Sequence, residues 1–143
     1  MLSPSLEDYL EEIYRLASQQ QVVRTTDIAH KLKVSLPSVT KAVKKLSRKG
    51  YLQYKRYKNI KLTAQGEQLG KFLVTRNRTL QEFLTVIDSN CNKEDEAEAM
   101  EHYLSETTVD AITILVDFFK QHPQLQRKFL EFKNKKTSPL SKD

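Results

Sequence analysis

A single cysteine, Cys91, is all that this 143-residue chain carries, which excludes an internal disulfide framework and any four-thiolate zinc site. No apolar run approaches the roughly 20 residues that cross a bilayer. The opening Met1-Leu2-Ser3-Pro4 lacks the basic, apolar and small-residue succession of a secretory signal. The expectation is a cytoplasmic protein with no membrane partner. No internal repeat appears, and the length rules out a large multidomain enzyme. Acidic residues are missing from one long stretch: none lies between Asp27 and Glu67.

That stretch holds eleven basic residues: Lys31, Lys33, Lys41, Lys44, Lys45, Arg48, Lys49, Lys55, Arg56, Lys58 and Lys61. Residues 1–80 carry 16 Lys/Arg against 6 Asp/Glu, whereas residues 81–143 carry 8 against 12, so the net charge of +6 conceals an asymmetry. A block of one sign either stays disordered or forms an electrostatic footprint for a polyanion. Apolar periodicity inside it favours the second.

Leu6, Tyr9, Leu10, Ile13, Tyr14 and Leu16 form a helical stripe from about Ser5 to Ser18–Gln20. Thr25-Thr26-Asp27 can cap a short helix with Ile28, Ala29 and Leu32, and Ser35 can cap another with Val39, Val43 and Leu46 that stops at Gly50. Two short helices about a tight turn, with small Ala29 at their approach and Val34 expected to plug the turn, fit a helix-turn-helix. Strand-like runs at Tyr51–Tyr54 and Ile60–Leu62, on either side of a basic turn, add a hairpin wing. A long helical pattern then runs from Thr63 to Ile87. An acidic helix follows at about Glu94–Leu104, then an apolar one at about Thr107–Lys120, and after His122-Pro123 a last segment to about Phe132. The expected fold is mainly α: a winged helix-turn-helix domain at 1–70, joined by a long helix to an all-helical domain at 71–134, with a mobile tail at 135–143.

A recognition helix presents short polar and cationic side chains near its N-terminus, where it enters the major groove. Ser35, Pro37, Ser38, Thr40, Lys41, Lys44 and Lys45 make up that face. Ser38, Thr40 and Lys41 are candidates for base edges, Lys44 and Lys45 for phosphate. On the wing, Lys55, Arg56 and Lys58 neutralise flanking backbone charge, and Tyr54 or Tyr57 can hydrogen-bond a phosphate. A merely solvated basic face is the alternative; the helix-turn-helix scaffold argues for a DNA duplex as partner.

Two acidic pairs sit three residues apart, Asp8 with Glu11 and Glu98 with Glu101, and His102 follows the second. Each pair shares a helix face. Should the first helix pack on the acidic one, four carboxylates and an imidazole converge, and bare charges about 4 Å apart cost about 4 kcal/mol per pair at an effective dielectric of 20. A cation or protons must offset that. Such oxygen-rich donors suit manganese or iron by ligand type. Against this, acids are favoured in a first helical turn, Ser5-Leu6-Glu7-Asp8 can act as a capping box, and Glu98 and Glu101 can simply be solvated.

Ser3–Tyr14, Pro37-Ser38-Val39-Thr40-Lys41, the Lys61-Leu62-Thr63-x-x-Gly66 junction and Glu98-x-x-Glu101-His102 together resemble the diphtheria-toxin-repressor-like family of metal-dependent regulators, and its manganese branch in particular. The resemblance runs to about residue 130. It implies a homodimer that represses metal-uptake genes when a divalent cation is bound, Mn2+ first and Fe2+ or another ion second. Carried over by position, its metal ligands are Asp8, Glu11, Glu98, Glu101 and His102. Where the family has a histidine on the long helix, this chain has Asn77, within Thr75-Arg76-Asn77-Arg78. A neutral carbonyl oxygen is a poorer ligand for a transition metal than imidazole, so the site is weakened or reduced to one ion. Arg78 has two readings: a guanidinium that partly replaces the cation, or a surface pair with Glu82. His30 and His122 stand apart from any ligand spacing.

Three functions compete on these residues: a manganese-responsive repressor, a winged-helix regulator with an altered or degenerate metal site, and a carboxylate-bridged metalloenzyme. Nothing beyond the ligands suggests the substrate cleft that the last requires, so the expectation is not an enzyme. Val109, Ile112, Ile114, Leu115, Val116, Phe118 and Phe119 exceed what one helix face can bury in so small a domain, which points to a homodimer, with packing of part of that surface on the long helix as the alternative.

Overall fold

The computed structural model describes residues 2–54 and 59–136. It divides into two compact units, Met1–Thr75 and Arg76–Asp143. The molecule is mainly helical, with one small antiparallel hairpin among the described residues.

The first unit starts with α1 (Pro4–Gln19). Its cap is Ser3, whose hydroxyl accepts the Leu6 N–H at 3.2 Å, ahead of the capping box expected at Ser5. Leu10, Ile13 and Leu16 face the core. In α2 (Thr25–Leu32), Asp27 Oδ2 accepts the Arg24 N–H at 2.9 Å, which satisfies a donor left over at the helix start. The turn that follows is closed by backbone: Lys33 takes a left-handed φ of 56° and Val34 N–H reaches Ala29 O at 3.1 Å. Val34 itself is 37% exposed, so it does not plug the turn as its apolar character suggested. Helix α3 (Leu36–Arg48) is capped by Ser35 Oγ, which accepts from Ser38 N at 3.3 Å, and it buries Val39, Ala42, Val43 and Leu46. Gly50, at φ +89°, ends it.

The wing strands β1 (Leu52–Gln53) and β2 (Lys61–Leu62) pair Leu52 with Leu62 and Gln53 with Lys61. They are shorter than the alternating runs predict. Ile60 adds a bridge to Val23, with its N–H on Val23 O at 2.9 Å, so the segment before α2 is tied to the wing. Helix α4 (Ala64–Val86) begins at a tight junction. Thr63 Oγ1 donates to Gly50 O at 2.6 Å and accepts from Gly66 N at 3.0 Å, so one hydroxyl ties the end of α3 to the start of α4. Gly66 is required there because a Cβ would lie 1.9 Å from Tyr51 O.

The second unit holds the later turns of α4 with α5 (Lys93–Glu101), α6 (Glu106–Gln121) and α7 (Pro123–Lys135). Leu80, Leu84 and Ala97 form its core, flanked by Phe83, Ile87, Met100, Leu104 and Ile112. Asn92 and Ser105 cap α5 and α6 through Asp95 N at 3.0 Å and Thr108 N at 3.2 Å. Pro123 opens α7 at a position where a missing N–H costs nothing. The helix continues to Lys135, beyond the expected stop near Phe132, and Lys133 Nζ reaches the carbonyl and the carboxylate of Asp88. Residues 137–143, most of the expected mobile tail, lie outside the described residues. Among the described residues no helix is long and apolar enough to cross a membrane.

Candidate nucleic-acid interface and metal centre

The outer face of α3 carries the side chains expected there. Ser35, Pro37, Ser38, Lys41, Lys44 and Lys45 are placed on it, most of them exposed, with Thr40 half-buried, while the opposite face is sealed in the core. The Ser35 and Ser38 hydroxyls share a hydrogen bond at 2.8 Å, and Thr40 Oγ1 donates back to Leu36 O at 3.1 Å. Leu36, Pro37, Thr40, Lys41 and Lys44 line a shallow depression on this face. Leu36 is 45% exposed at the helix start, an apolar surface that polar patterning alone missed. Such a group suits the methyl of thymine. On the wing, Tyr54 is half-buried against the core; Lys55, Arg56, Tyr57 and Lys58 lie outside the described residues.

The acidic residues of α1 differ in setting. Asp8 is half-buried, whereas Glu11 and Glu12 are buried and Arg15 reaches both, at 3.0 Å to Glu11 Oε1 and 3.8 Å to Glu12 Oε2. In the second unit, Glu101 ends α5 with 1% exposure, and His102 is the residue that caps it. His102 Nε2 lies 3.7 Å from Glu101 Oε1. Glu98 is exposed on the same helix.

The other carboxylate oxygen, Glu101 Oε2, faces α4. Asn77 Nδ2 donates to it at 3.2 Å and Arg76 Nε lies 3.8 Å away. A carboxylate only accepts, so the amide must present its nitrogen, and Gln81 Nε2 holds the Asn77 oxygen at 2.9 Å. Asn77 therefore gives Glu101 a hydrogen, where the sequence had suggested an oxygen for a cation. Arg78 is exposed, Glu82 is paired with Lys120 at 2.7 Å, and the arginine beside Glu101 is Arg76.

Glu101 and His102 set a carboxylate and an imidazole side by side within the second unit, both of them metal-type donors. A carboxylate and an imidazole suit manganese or iron(II) in donor chemistry.

A winged helix-turn-helix with a cationic reading face, followed by a helical unit that carries metal-type donors, defines a metal-binding DNA-binding regulator of transcription. Residues 1–60 match the N-terminal DNA binding domain of the iron dependent repressors, and residues 63–130 match their metal binding and dimerisation domain. The chain belongs to the iron dependent repressor family. It is similar to the HTH-type transcriptional regulator MntR of Bacillus pumilus, at 40% identity over 99% of this chain and 100% of that protein. MntR of Bacillus subtilis is 40% identical over 96% of each chain. Among solved structures it is similar to the manganese regulator SloR, at 28% identity and a TM-score of 0.70 over 82% of this chain and 55% of that one. The apo form of the manganese-activated repressor ScaR matches at 30% identity and a TM-score of 0.65 over 78% of this chain and 54% of that one. The chain thus spans about half the length of these solved structures and nearly the whole of the MntR relatives.

Proposed function

We propose that this protein is a manganese-responsive repressor that works in the cytoplasm as a homodimer on a duplex operator of metal-uptake genes. The observation that carries the reading is the buried Glu101 carboxylate with the His102 imidazole beside it, 3.7 Å from Oε1, in a chain built as a DNA-binding regulator. Asp8, Glu11, Glu98, Glu101 and His102 are the proposed ligands. When bound, the ion supplies the positive charge that gathered carboxylates need. By differential affinity it favours the DNA-competent arrangement of the dimer. Ser38, Thr40 and Lys41 read base edges, while Ser35, Pro37, Lys44, Lys45 and the wing residues Lys55, Arg56 and Lys58 position the duplex.

A second reading, a regulator whose metal site is altered, has one observation in its favour: Asn77 turns an amide hydrogen toward Glu101, so no imidazole from α4 joins the donors. Both readings are tested by selecting duplexes from a random pool and measuring affinity in Mn2+, Fe2+, Zn2+ and chelator. The first expects tight binding only with Mn2+ or Fe2+; equal binding in chelator selects the second. No salt-sensitive binding to any duplex overturns both.

A further inference from the structure

We propose that Arg76 is a resident cation of the metal centre, competing with an incoming divalent ion for the carboxylate of Glu101. The inference deepens the reading above and rests on Glu101 being a metal ligand. Arg76 is 7% exposed and Glu101 1%, so both charges lie out of water, with Nε and Oε2 3.8 Å apart. A guanidinium does not lose its proton in a protein, so the positive charge is present in every state of the molecule. A buried carboxylate is costly unless paired and hydrogen-bonded, and here one oxygen receives both the arginine charge and the Asn77 amide hydrogen. The amide cannot turn away cheaply because Gln81 grips its oxygen at 2.9 Å.

The two oxygens of Glu101 are thereby divided. Oε2 faces nitrogen donors from α4, and Oε1 faces His102 at 3.7 Å. A metal taken through Oε2 must displace the amide and approach a fixed positive charge; one taken through Oε1 meets that charge across the carboxylate. Either way Arg76 weakens binding of the ion while it stabilises the metal-free fold. Arg76 therefore sets the metal concentration at which the centre fills.

The experiment compares the full-length wild type with Arg76→Met, which keeps an apolar stem, and Arg76→Gln, which keeps a hydrogen donor without charge. Mn2+ affinity is measured by titration calorimetry, and thermal unfolding is followed in chelator and in Mn2+. Both variants are expected to bind Mn2+ at least tenfold more tightly than wild type, to melt lower in chelator and to gain more from Mn2+. A variant that folds only when Mn2+ is added is the limiting form of the same result. Folded variants that bind Mn2+ no better than wild type overturn the proposal and leave the repressor reading standing. Binding by the variants but not by wild type upholds the competition and sinks the manganese response. Binding by none sinks both.

Discussion

Asn77 donates its amide hydrogen to Glu101 Oε2 across 3.2 Å, while Gln81 holds its oxygen at 2.9 Å. The residue that stands where the family resemblance expects a ligand is thus a hydrogen-bond donor to a proposed one. Replacing Asn77 with aspartate sets one carboxylate against another in a largely dry place. Asn77→Asp is expected to lose about 2 kcal/mol of stability in chelator, below the bare Coulomb figure because Arg76 shares the charge. Divalent cation should return most of it. Equal unfolding of variant and wild type in chelator would show that the pair is not formed in solution.

Thr63 uses both capacities of its hydroxyl, donating to Gly50 O and accepting from Gly66 N. Serine keeps both bonds and valine keeps neither. Thr63→Val should cost about 1–2 kcal/mol, as for loss of a helix cap, and Thr63→Ser a few tenths. Denaturant unfolding reads the difference; equal losses would assign the effect to the methyl group.

The winged unit was legible because α1 and α3 start on a short polar cap, Ser3 and Ser35, ahead of an apolar stripe such as Val39, Val43 and Leu46, although α2 starts on Arg24 rather than on a short polar residue. Strand lengths were not, because pairing between Leu52 and Leu62 depends on a partner rather than on local pattern. The arginine beside Glu101 is Arg76, two residues before the Arg78 that the sequence offered either to the acidic cluster or to Glu82. Residues two apart on a helix point to nearly opposite sides. Arg76 lies on the stripe of Leu73, Leu80 and Leu84, all buried, so the inward choice was encoded at helical spacing but masked by the charge of the side chain. The exposed setting of Val34 had no such signal, since a closed backbone turn looks the same in sequence as a plugged one.

On the recognition face, position and discrimination are expected to separate. Lys44 is exposed, and a cation on phosphate releases counterions when it binds. Lys44→Ala should therefore reduce the slope of log affinity against log salt by about 0.9 for each phosphate left without its cation, for all duplexes alike. Ser38→Ala or Thr40→Ala should leave the slope unchanged and cost about 1–3 kcal/mol of preference at one base pair. A Lys44 variant with an unchanged slope would return that lysine to the solvated surface.

The proposed dimer rests on α6, which divides its apolar residues between two faces. Val109 and Val116 are buried, and Phe119 packs on Phe129 with ring centroids 5.8 Å apart. Ile114 is 70% exposed, with Leu115 and Phe118 at 39% and 42% beside it. Three large apolar groups together on one exposed face of a charged protein favour burial against a like surface, at about 25 cal/mol per Å² covered. A charge placed there would be buried twice, once from each copy, because a two-fold interface repeats every contact. Ile114→Glu should shift sedimentation equilibrium at micromolar concentration from dimer toward monomer without changing the helical circular dichroism. Because two half-sites must be held together for tight operator binding, affinity for a palindromic duplex should fall at least tenfold, while affinity for a single half-site stays near that of wild type. A variant that remains dimeric would move the subunit interface to another face of the helical unit.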